Sequence, residues 1–184
     1  QGRIRQGDGG ADARRCEGAG MTDAVLDHSR QSMEKGSKSF AVAARLFPAE
    51  IRDDAWMLYS WCRHCDDEID GQILGHGAIG VDPRMAAEKL DQLRARTASA
   101  LAGEPQVDPV FIAFQRVALR HAIPAQEAMD LLRGFEMDVM GRRYDRLEDT
   151  LDYAYHVAGV VGVMMARIMG VSDAETLRRA QDLG

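Results

Sequence analysis

Apolar residues recur three and four positions apart from Thr22 to the end of the 184-residue chain, and alternating runs of β-branched residues are missing. This spacing places the apolar side chains on one face of a helix, so it predicts an all-α protein. Helix-start signals agree with it: Pro48 suits a first helical turn, and Ser172 to Glu175 form a predicted capping box. The predicted helices cover residues 23–37, 39–46, 49–70, 84–102, 109–121, 125–140, 150–169 and 173 onward.

The first 20 residues differ from the rest of the chain, because they are rich in Gly and Arg and carry no apolar run. We predict that residues 1–20 form a disordered leader, which lacks the apolar core of a signal peptide. Residues 21–184 are then expected to form the N-terminal part of a single domain. The last predicted helix has only just begun where the sequence stops, so we expect the domain to be incomplete at its C-terminus.

Composition disfavours several classes of protein. The formal net charge of −6 and the pI near 5.4 argue against nucleic acid as a partner, because a phosphate backbone requires a basic patch. Three cysteines do not make a disulfide framework, which favours the cytoplasm. The longest apolar run, residues 157–171, contains Arg167 and is shorter than the roughly 20 residues that span a bilayer.

The segment WCRHCDDEID at residues 61–70 concentrates two cysteines, a histidine and four acids near the end of a long predicted helix. Helical spacing puts Tyr59, Arg63, Asp66 and Asp70 on one stripe and the cysteines on a neighbouring apolar stripe. Zinc is disfavoured, since the segment offers at most three N or S ligands. The two aspartates repel each other unless a cation lies between them, and hard oxygen ligands favour Mg²⁺. A solvated acidic face paired with arginine explains the pattern equally well.

Four linked segments resemble the squalene and phytoene synthase family. They are GSKSF at 36–40, YSWCRHCDDEID at 59–70, GFEMDVMGRRY at 134–144 and YAYHVAGVVG at 153–162. Their order and spacing match as well, and the second segment is most similar to bacterial phytoene synthases of carotenoid pathways. The resemblance implies an all-α, isoprenoid-synthase-like helical bundle with a central cavity. It also implies a prenyltransferase that condenses two geranylgeranyl diphosphates head to head to phytoene through prephytoene diphosphate, with Mg²⁺ or Mn²⁺ and without NADPH.

The resemblance also implies roles for individual residues. Asp66 and Asp70 are the expected metal ligands, which bind the diphosphate through Mg²⁺. The implied catalytic residues are Tyr59, Arg63, Asp66, Asp70 and Tyr153. The implied substrate-binding residues are Ser37, Phe40, Arg63 and Val157. A family motif also contains Asp138, Arg143 and Tyr144, to which no individual role is assigned.

Several of these residues have a structural alternative. Ser37 fits a helix junction, the two tyrosines fit a core, and Asp138 fits a structural ion pair. Small residues recur every four positions in one helix, where they leave room either for another helix or for an isoprenoid tail: Ala154, Ala158, Gly162 and Ala166. Trp56, on a face similar to that of Tyr59, is a hypothesis for control of substrate chain length.

The family's second aspartate-rich motif is expected beyond the 184 residues, on the helix that begins near Asp173. We therefore expect residues 1–184 alone to be inactive or poorly folded. Two alternatives remain: a squalene or dehydrosqualene synthase that uses farnesyl diphosphate, and a non-catalytic family member that acts as an assembly or scaffold protein. Lipid substrates lead us to expect a cytoplasmic protein with peripheral membrane contact. The sequence carries no signal for the oligomeric state.

Overall fold

A computed structural model describes residues 24–71 and 82–184 of the chain, and within these ranges the regular structure is helical throughout. The all-α prediction is therefore confirmed. The predicted leader, residues 1–20, lies outside the described residues. None of the described helices is long and apolar enough to cross a membrane.

The helices follow the periodicity of the apolar residues closely. In chain order they are α1 (24–36 within the described residues), α2 (Lys38–Ala43), α3 (Ala49–Asp70), α4 (Pro83–Leu101), α5 (Pro109–Arg120), α6 (Ala125–Val139), α7 (Leu147–Ala154), α8 (Val160–Ile168) and α9 (Ala174–Leu183). A 3₁₀ turn, Ala44–Leu46, follows α2, and a π-helical turn, Tyr155–Gly159, joins α7 to α8.

Side-chain caps decide where several helices begin. Asp82, Asp108 and Asp173 each accept a hydrogen bond from a backbone amide in the first turn of α4, α5 and α9, at 2.8, 2.9 and 2.8 Å. Such caps satisfy amides that have no partner inside the helix. The capping box predicted from Ser172 is shifted by one residue, because the carboxylate of Asp173 is the group that reaches the Thr176 amide.

The predicted continuous helix over 150–169 is wrong in two respects: the helix begins at Leu147, and the π-helical turn interrupts it. Tyr155 lies in that turn and donates a hydrogen bond to Asp130 Oδ2 on α6 at 2.7 Å, while Gln126 donates to Asp130 Oδ1 at 2.6 Å. These bonds hold the turn against α6. Single π-helical turns inside longer helices are frequent at functional sites.

The core lies where α3 packs against α5. The Trp61 side chain is fully buried and stacks on Phe114, with the ring centroids 4.0 Å apart. Such a pair stabilises the fold by about 0.5–1.5 kcal/mol beyond the burial of its surface. Cys65 is also fully buried, and Cys62 packs against the same core. Both cysteines of the acidic segment therefore belong to the packing, as their stripe predicts.

A buried carboxylate also ties α3 to the end of α5. Asp54 is 2% exposed and accepts hydrogen bonds from Arg120 Nη1 at 2.7 and 3.0 Å. His121 Nε2 lies 2.7 Å from Asp54 Oδ2. A buried charge is tolerated only when such partners replace water, so this cluster fixes how the first half of α3 lies against α5.

The small residues after Tyr153 accommodate α9. A Cβ atom at Gly162 would lie 2.6 Å from Ala180 O, and one at Gly159 would lie 2.9 Å from Gln181 O. Both distances are too short for a real side chain. In this structure the small-residue groove is filled by a helix, which supports the packing alternative over an isoprenoid tail.

Candidate active site

Two cavities meet along one face of α3. We call the first the polar cavity: it has a volume of about 270 Å³, and its charged and hydroxyl-bearing lining residues are Arg63, Asp66, Asp138, Tyr59 and Tyr153. The second, the apolar cavity, has a volume of about 350 Å³ and is lined almost entirely by hydrocarbon and sulfur-containing side chains. The residues that line both are Phe40, Tyr59, Cys62 and Val161. A charged cavity and an apolar cavity therefore lie side by side, with these four residues shared between their linings.

Most of the residues that the resemblance implied lie together at the polar cavity. Those that line it are Phe40, Tyr59, Arg63, Asp66, Tyr153 and Val157. Ser37 does not line either cavity: its Oγ accepts the Phe40 amide at 3.3 Å and thereby caps α2. Asp70 is exposed at the last position of α3, also outside the two linings.

Arg63 is paired with the acids of its own helix. Its Nη1 donates to Asp66 Oδ2 at 2.7 Å and lies 3.5 Å from Asp67 Oδ1. Desolvation lowers the pKa of Arg63, but Tyr59 and the two aspartates outweigh that effect, so the net pKa is raised. The guanidinium therefore remains charged beside the cavity.

Carboxylates from two helices repel one another at the polar cavity. Burial raises the pKa of Asp66, Arg63 lowers it, and the nearby charges of Asp70 and Asp138 raise it further, so that the net pKa lies above its ordinary value. Burial also raises the pKa of Asp138, with a further contribution from Asp70. The fold thus brings an acid of α6 close to the acidic end of α3, and the site has a negative potential that a cation would relieve.

Tyr153 is fixed by a hydrogen bond, in contrast to Tyr59. The Tyr153 hydroxyl donates to Asp138 Oδ2 at 3.1 Å, and its ring lies 4.8 Å from that of Tyr144. Burial and the neighbouring carboxylate raise the pKa of Tyr153 to about 12, so the hydroxyl keeps its proton at neutral pH. The structural ion pair considered for Asp138 is not found among the described residues, because its partner is the tyrosine hydroxyl.

Tyr59 has a buried hydroxyl oxygen with no hydrogen-bond partner among the described residues. The oxygen lies against Gly36, where an added Cβ would overlap it. Phe40 packs its ring edge against Tyr59, with the centroids 6.2 Å apart. The sequence marks Gly36 only as part of a motif; its absent side chain leaves room for the tyrosine hydroxyl.

Trp56 does not line either cavity, contrary to the hypothesis that it controls chain length. The guanidinium of Arg52 lies over the Trp56 ring, with Cζ 5.0 Å from the ring centroid. The residues of α3 that do line the apolar cavity are Ala55, Leu58, Tyr59 and Cys62. Helical rotation explains the difference, since Trp56 precedes Tyr59 by three positions and lies at the edge of that face.

The helical fold and the motif residues at the polar cavity agree with a comparison of the sequence to known protein families. A family model described as squalene/phytoene synthase matches residues 33–184.

The chain belongs to the squalene and phytoene synthase family.

Family relatives are similar over most of this chain. It is 53% identical to a phytoene synthase of Pseudescherichia vulneris over 87% of this chain and 52% of that protein. It is 54% identical to a 15-cis-phytoene synthase of a Paracoccus species over 89% of this chain and 53% of that protein. The chain therefore spans about half the length of the curated relatives that it matches.

Solved structures of the family share the fold. A dehydrosqualene synthase in complex with a ligand matches with a TM-score of 0.75 and 24% identity, over 88% of this chain and 53% of that one. A squalene synthase of Alicyclobacillus acidocaldarius matches with a TM-score of 0.73 and 24% identity, over 86% and 56%. The helical bundle is therefore the isoprenoid-synthase-like fold that the motifs implied.

The carboxylates at the end of α3, of which Asp66 lines the polar cavity and Asp70 lies outside its lining, fit a magnesium ion that the substrate helps to bind. Asp66 and Asp70 offer hard carboxylate oxygens one helical turn apart. Mg²⁺ is commonly held by one or two carboxylates together with substrate phosphates, rather than by a complete protein cage. The described residues contain no group of three or more His, Cys, Asp or Glu side chains that could hold a metal by themselves.

Proposed function

We propose that this protein condenses two geranylgeranyl diphosphates head to head to phytoene, through prephytoene diphosphate, in a Mg²⁺-dependent step of carotenoid biosynthesis. The observation that carries the proposal is the arrangement of the two cavities: a charged cavity and an apolar cavity lie side by side and share four lining residues. A prenyl diphosphate has the same division between a charged head and a hydrocarbon tail. The relatives named phytoene synthase point to the 20-carbon substrate.

The first half of the reaction requires charge neutralisation. The bond between C1 and the diphosphate oxygen of one substrate breaks, and the leaving diphosphate takes the electron pair. Arg63 supplies a fixed positive charge at this end of the cavity, and such preorganised charges stabilise developing anions. Bound Mg²⁺, held by Asp66 and Asp70, would supply further charge for the same purpose.

The second requirement is that water is kept away from the allylic cation. The double bond of the second substrate attacks the cation, and loss of a proton closes the cyclopropane ring of prephytoene diphosphate. Loss of the second diphosphate, rearrangement and a further proton loss then give phytoene without any net reduction, so no NADPH is required. Phe40, Val157 and Val161 supply apolar walls beside the charged end, and their effect is to exclude water from the cation.

The decisive experiment is product analysis with each substrate. The full product of the gene is incubated with Mg²⁺ and either geranylgeranyl or farnesyl diphosphate, with and without NADPH. Phytoene from the 20-carbon substrate, independent of NADPH, is expected. Squalene or dehydrosqualene from farnesyl diphosphate would replace the proposal with the alternative enzyme. Binding of a prenyl diphosphate without any coupling would favour the non-catalytic scaffold.

We further infer that the protein is cytoplasmic and contacts the membrane surface. The support is the apolar substrate and product, together with exposed apolar side chains on α2 and the 3₁₀ turn: Phe40, Val42 and Leu46. Lys38 and Arg45 lie in the same segment and suit an anionic surface. Sedimentation with anionic vesicles tests this, and an equal distribution with and without vesicles would contradict it.

A further inference from the structure

Asp138 and Tyr153 form a polar link that the proposed reaction has not used so far. Asp138 lies in the last turn of α6 and Tyr153 in α7, and both line the polar cavity together with Asp66. The Tyr153 hydroxyl donates to Asp138 Oδ2 at 3.1 Å. Because two different helices supply the partners, the bond also fixes how the tyrosine lies relative to α6.

Asp138 has no cation to neutralise it within the described ranges. Arg142, a few residues further on, is engaged elsewhere: its Nη1 donates to Asp152 Oδ2 at 2.8 Å, and its Nη2 lies 3.7 Å from Asp149 Oδ1. The hydroxyl of Tyr153 is therefore the polar group that Asp138 holds in this structure. A hydrogen bond to an ionised acceptor is among the stronger ones.

The Tyr153 ring is supported on one face as well as at its tip. Tyr144 lies against it at a centroid distance of 4.8 Å and an interplanar angle of 43°. The guanidinium of Arg142 lies 5.8 Å from the centroid of Tyr144. This tilted contact restrains the plane of the ring, but it does not restrain the direction of the hydroxyl, which depends on the acceptor.

We propose that Asp138 is a positioning residue, which orients the Tyr153 hydroxyl within the polar cavity and acts on catalysis through that tyrosine rather than as a metal ligand. This inference rests on the proposed function, since it concerns the cavity that would hold the diphosphate. Asp138 lies on α6 and accepts the Tyr153 hydroxyl, whereas the expected metal ligands, Asp66 and Asp70, lie on α3.

The first test observes the tyrosine directly and needs no turnover. Protein labelled with 3-fluorotyrosine shows one ¹⁹F resonance for each tyrosine, and the resonance that is lost in Tyr153→Phe is assigned to Tyr153. Asp138→Ala is expected to shift and broaden that resonance, and Asp138→Asn, which keeps an acceptor oxygen, is expected to change it less. An unchanged Tyr153 resonance in both variants would overturn the proposal. Asp138→Asn keeps the test valid if the alanine variant does not fold.

The second test separates positioning from metal binding. Binding of a non-reactive geranylgeranyl thiodiphosphate is titrated with Mg²⁺ in Asp138→Asn, Asp138→Ala, Tyr153→Phe and the Asp138→Ala/Tyr153→Phe double variant. Loss of one hydrogen bond to a charged acceptor predicts about tenfold weaker binding in Asp138→Ala, and no further loss when Tyr153 is already Phe. The Mg²⁺ concentration for half-saturation is expected to rise only slightly in Asp138→Asn, because the variant removes one nearby negative charge but no metal ligand.

The matched control is Asp145→Asn, which removes one carboxylate from the exposed loop after α6. It is expected to leave both binding and the ¹⁹F spectrum unchanged. A tenfold or greater rise in the Mg²⁺ requirement of Asp138→Asn, on the order of one lost ligand, would overturn the proposal and identify Asp138 as a metal ligand. An absence of coupling activity in the wild type would refute the proposed function while leaving the ¹⁹F result readable.

Discussion

The polar and apolar cavities are built from the same helix but are shaped by different forces. At the polar cavity, α3 contributes charged groups whose positions depend on partners, as in the 2.7 Å pair of Arg63 with Asp66. At the apolar cavity, it contributes Ala55 and Leu58, which act only through volume. A substitution that changes the charge of a side chain should therefore affect the polar cavity, and one that changes its size should affect the apolar cavity. Tyr59 and Cys62 line both cavities, so substitutions of these two residues should affect both.

The largest effect is expected at the charged end. Asp66→Asn removes the central carboxylate and should lower turnover by about 10²–10³-fold, because a ligand that would hold Mg²⁺ beside the leaving diphosphate is lost. Steady-state kinetics over a range of Mg²⁺ concentrations measure it. Asp91→Asn, an exposed acid on α4 whose side chain is 80% exposed, is the control. Full activity of Asp66→Asn would contradict the assignment of the polar cavity as the diphosphate site.

The next effect concerns the wall that both cavities share. Gly36→Ala places a Cβ against the Tyr59 hydroxyl, so it should lower the free energy of unfolding by about 1–3 kcal/mol. Removal of that oxygen by Tyr59→Phe should recover part of the loss, since the nearest ring carbon lies 3.3 Å from the added atom. Urea denaturation of both single variants and the double variant measures the coupling. If the two single-variant changes in the free energy of unfolding simply add in the double variant, the contact between the added Cβ and the Tyr59 hydroxyl is not the cause of the destabilisation.

A smaller effect is expected at the apolar end. Ala55 is 5% exposed and lines the apolar cavity. Ala55→Phe should therefore reduce the volume that is available to the hydrocarbon tail of the substrate. Binding of a 20-carbon diphosphate analogue should weaken by about tenfold relative to a 15-carbon one, as expected for a pocket that discriminates chain length by volume. Ala87→Phe, at an exposed position of α4, is the control. An unchanged ratio of the two affinities would place the tail elsewhere.

The smallest effect is expected from a thiol reagent. Cys62 lies in the shared wall, and burial, with a contribution from Asp66, raises the pKa of its thiol to about 12. Since the thiolate is the reactive form, its fraction at pH 8 is about 10⁻⁴. Iodoacetamide at that pH should therefore leave Cys62 unmodified and substrate binding unchanged, as judged by peptide mass spectrometry. Rapid alkylation would show that the wall opens to solvent.

Much of the fold could be predicted from the periodicity of the apolar residues. The boundaries of α3 and the start of α5 agree with the predicted ranges, because Pro48 and Pro109 mark their first turns and Gly71 in the left-handed conformation ends α3. The π-helical turn could not be predicted in this way. It depends on the bond between Tyr155 and Asp130 on another helix, and a local pattern carries no information about that partner.

Those parts of the candidate site that lie on one helix could be predicted from the sequence. The stripe of Tyr59, Arg63 and Asp66 follows from spacing alone, and the structure places these three residues at one cavity. The position of Trp56 was not predictable at this level, because its burial depends on a small rotation of α3 and on the neighbouring Arg52. Motif resemblance also implies substrate binding by Ser37, which stays a prediction; in the structure its hydroxyl caps α2.

The sequence by itself determined the helical class, the family and the acidic stripe of α3, because these depend on the order and spacing of residues within short segments. Tertiary packing alone brings Asp138 to Tyr153, places Tyr59 in the space left by Gly36 and sets a polar cavity beside an apolar one. Such contacts join residues that are distant in the chain, and they form only when packing of the helices brings those residues within a few ångströms of each other.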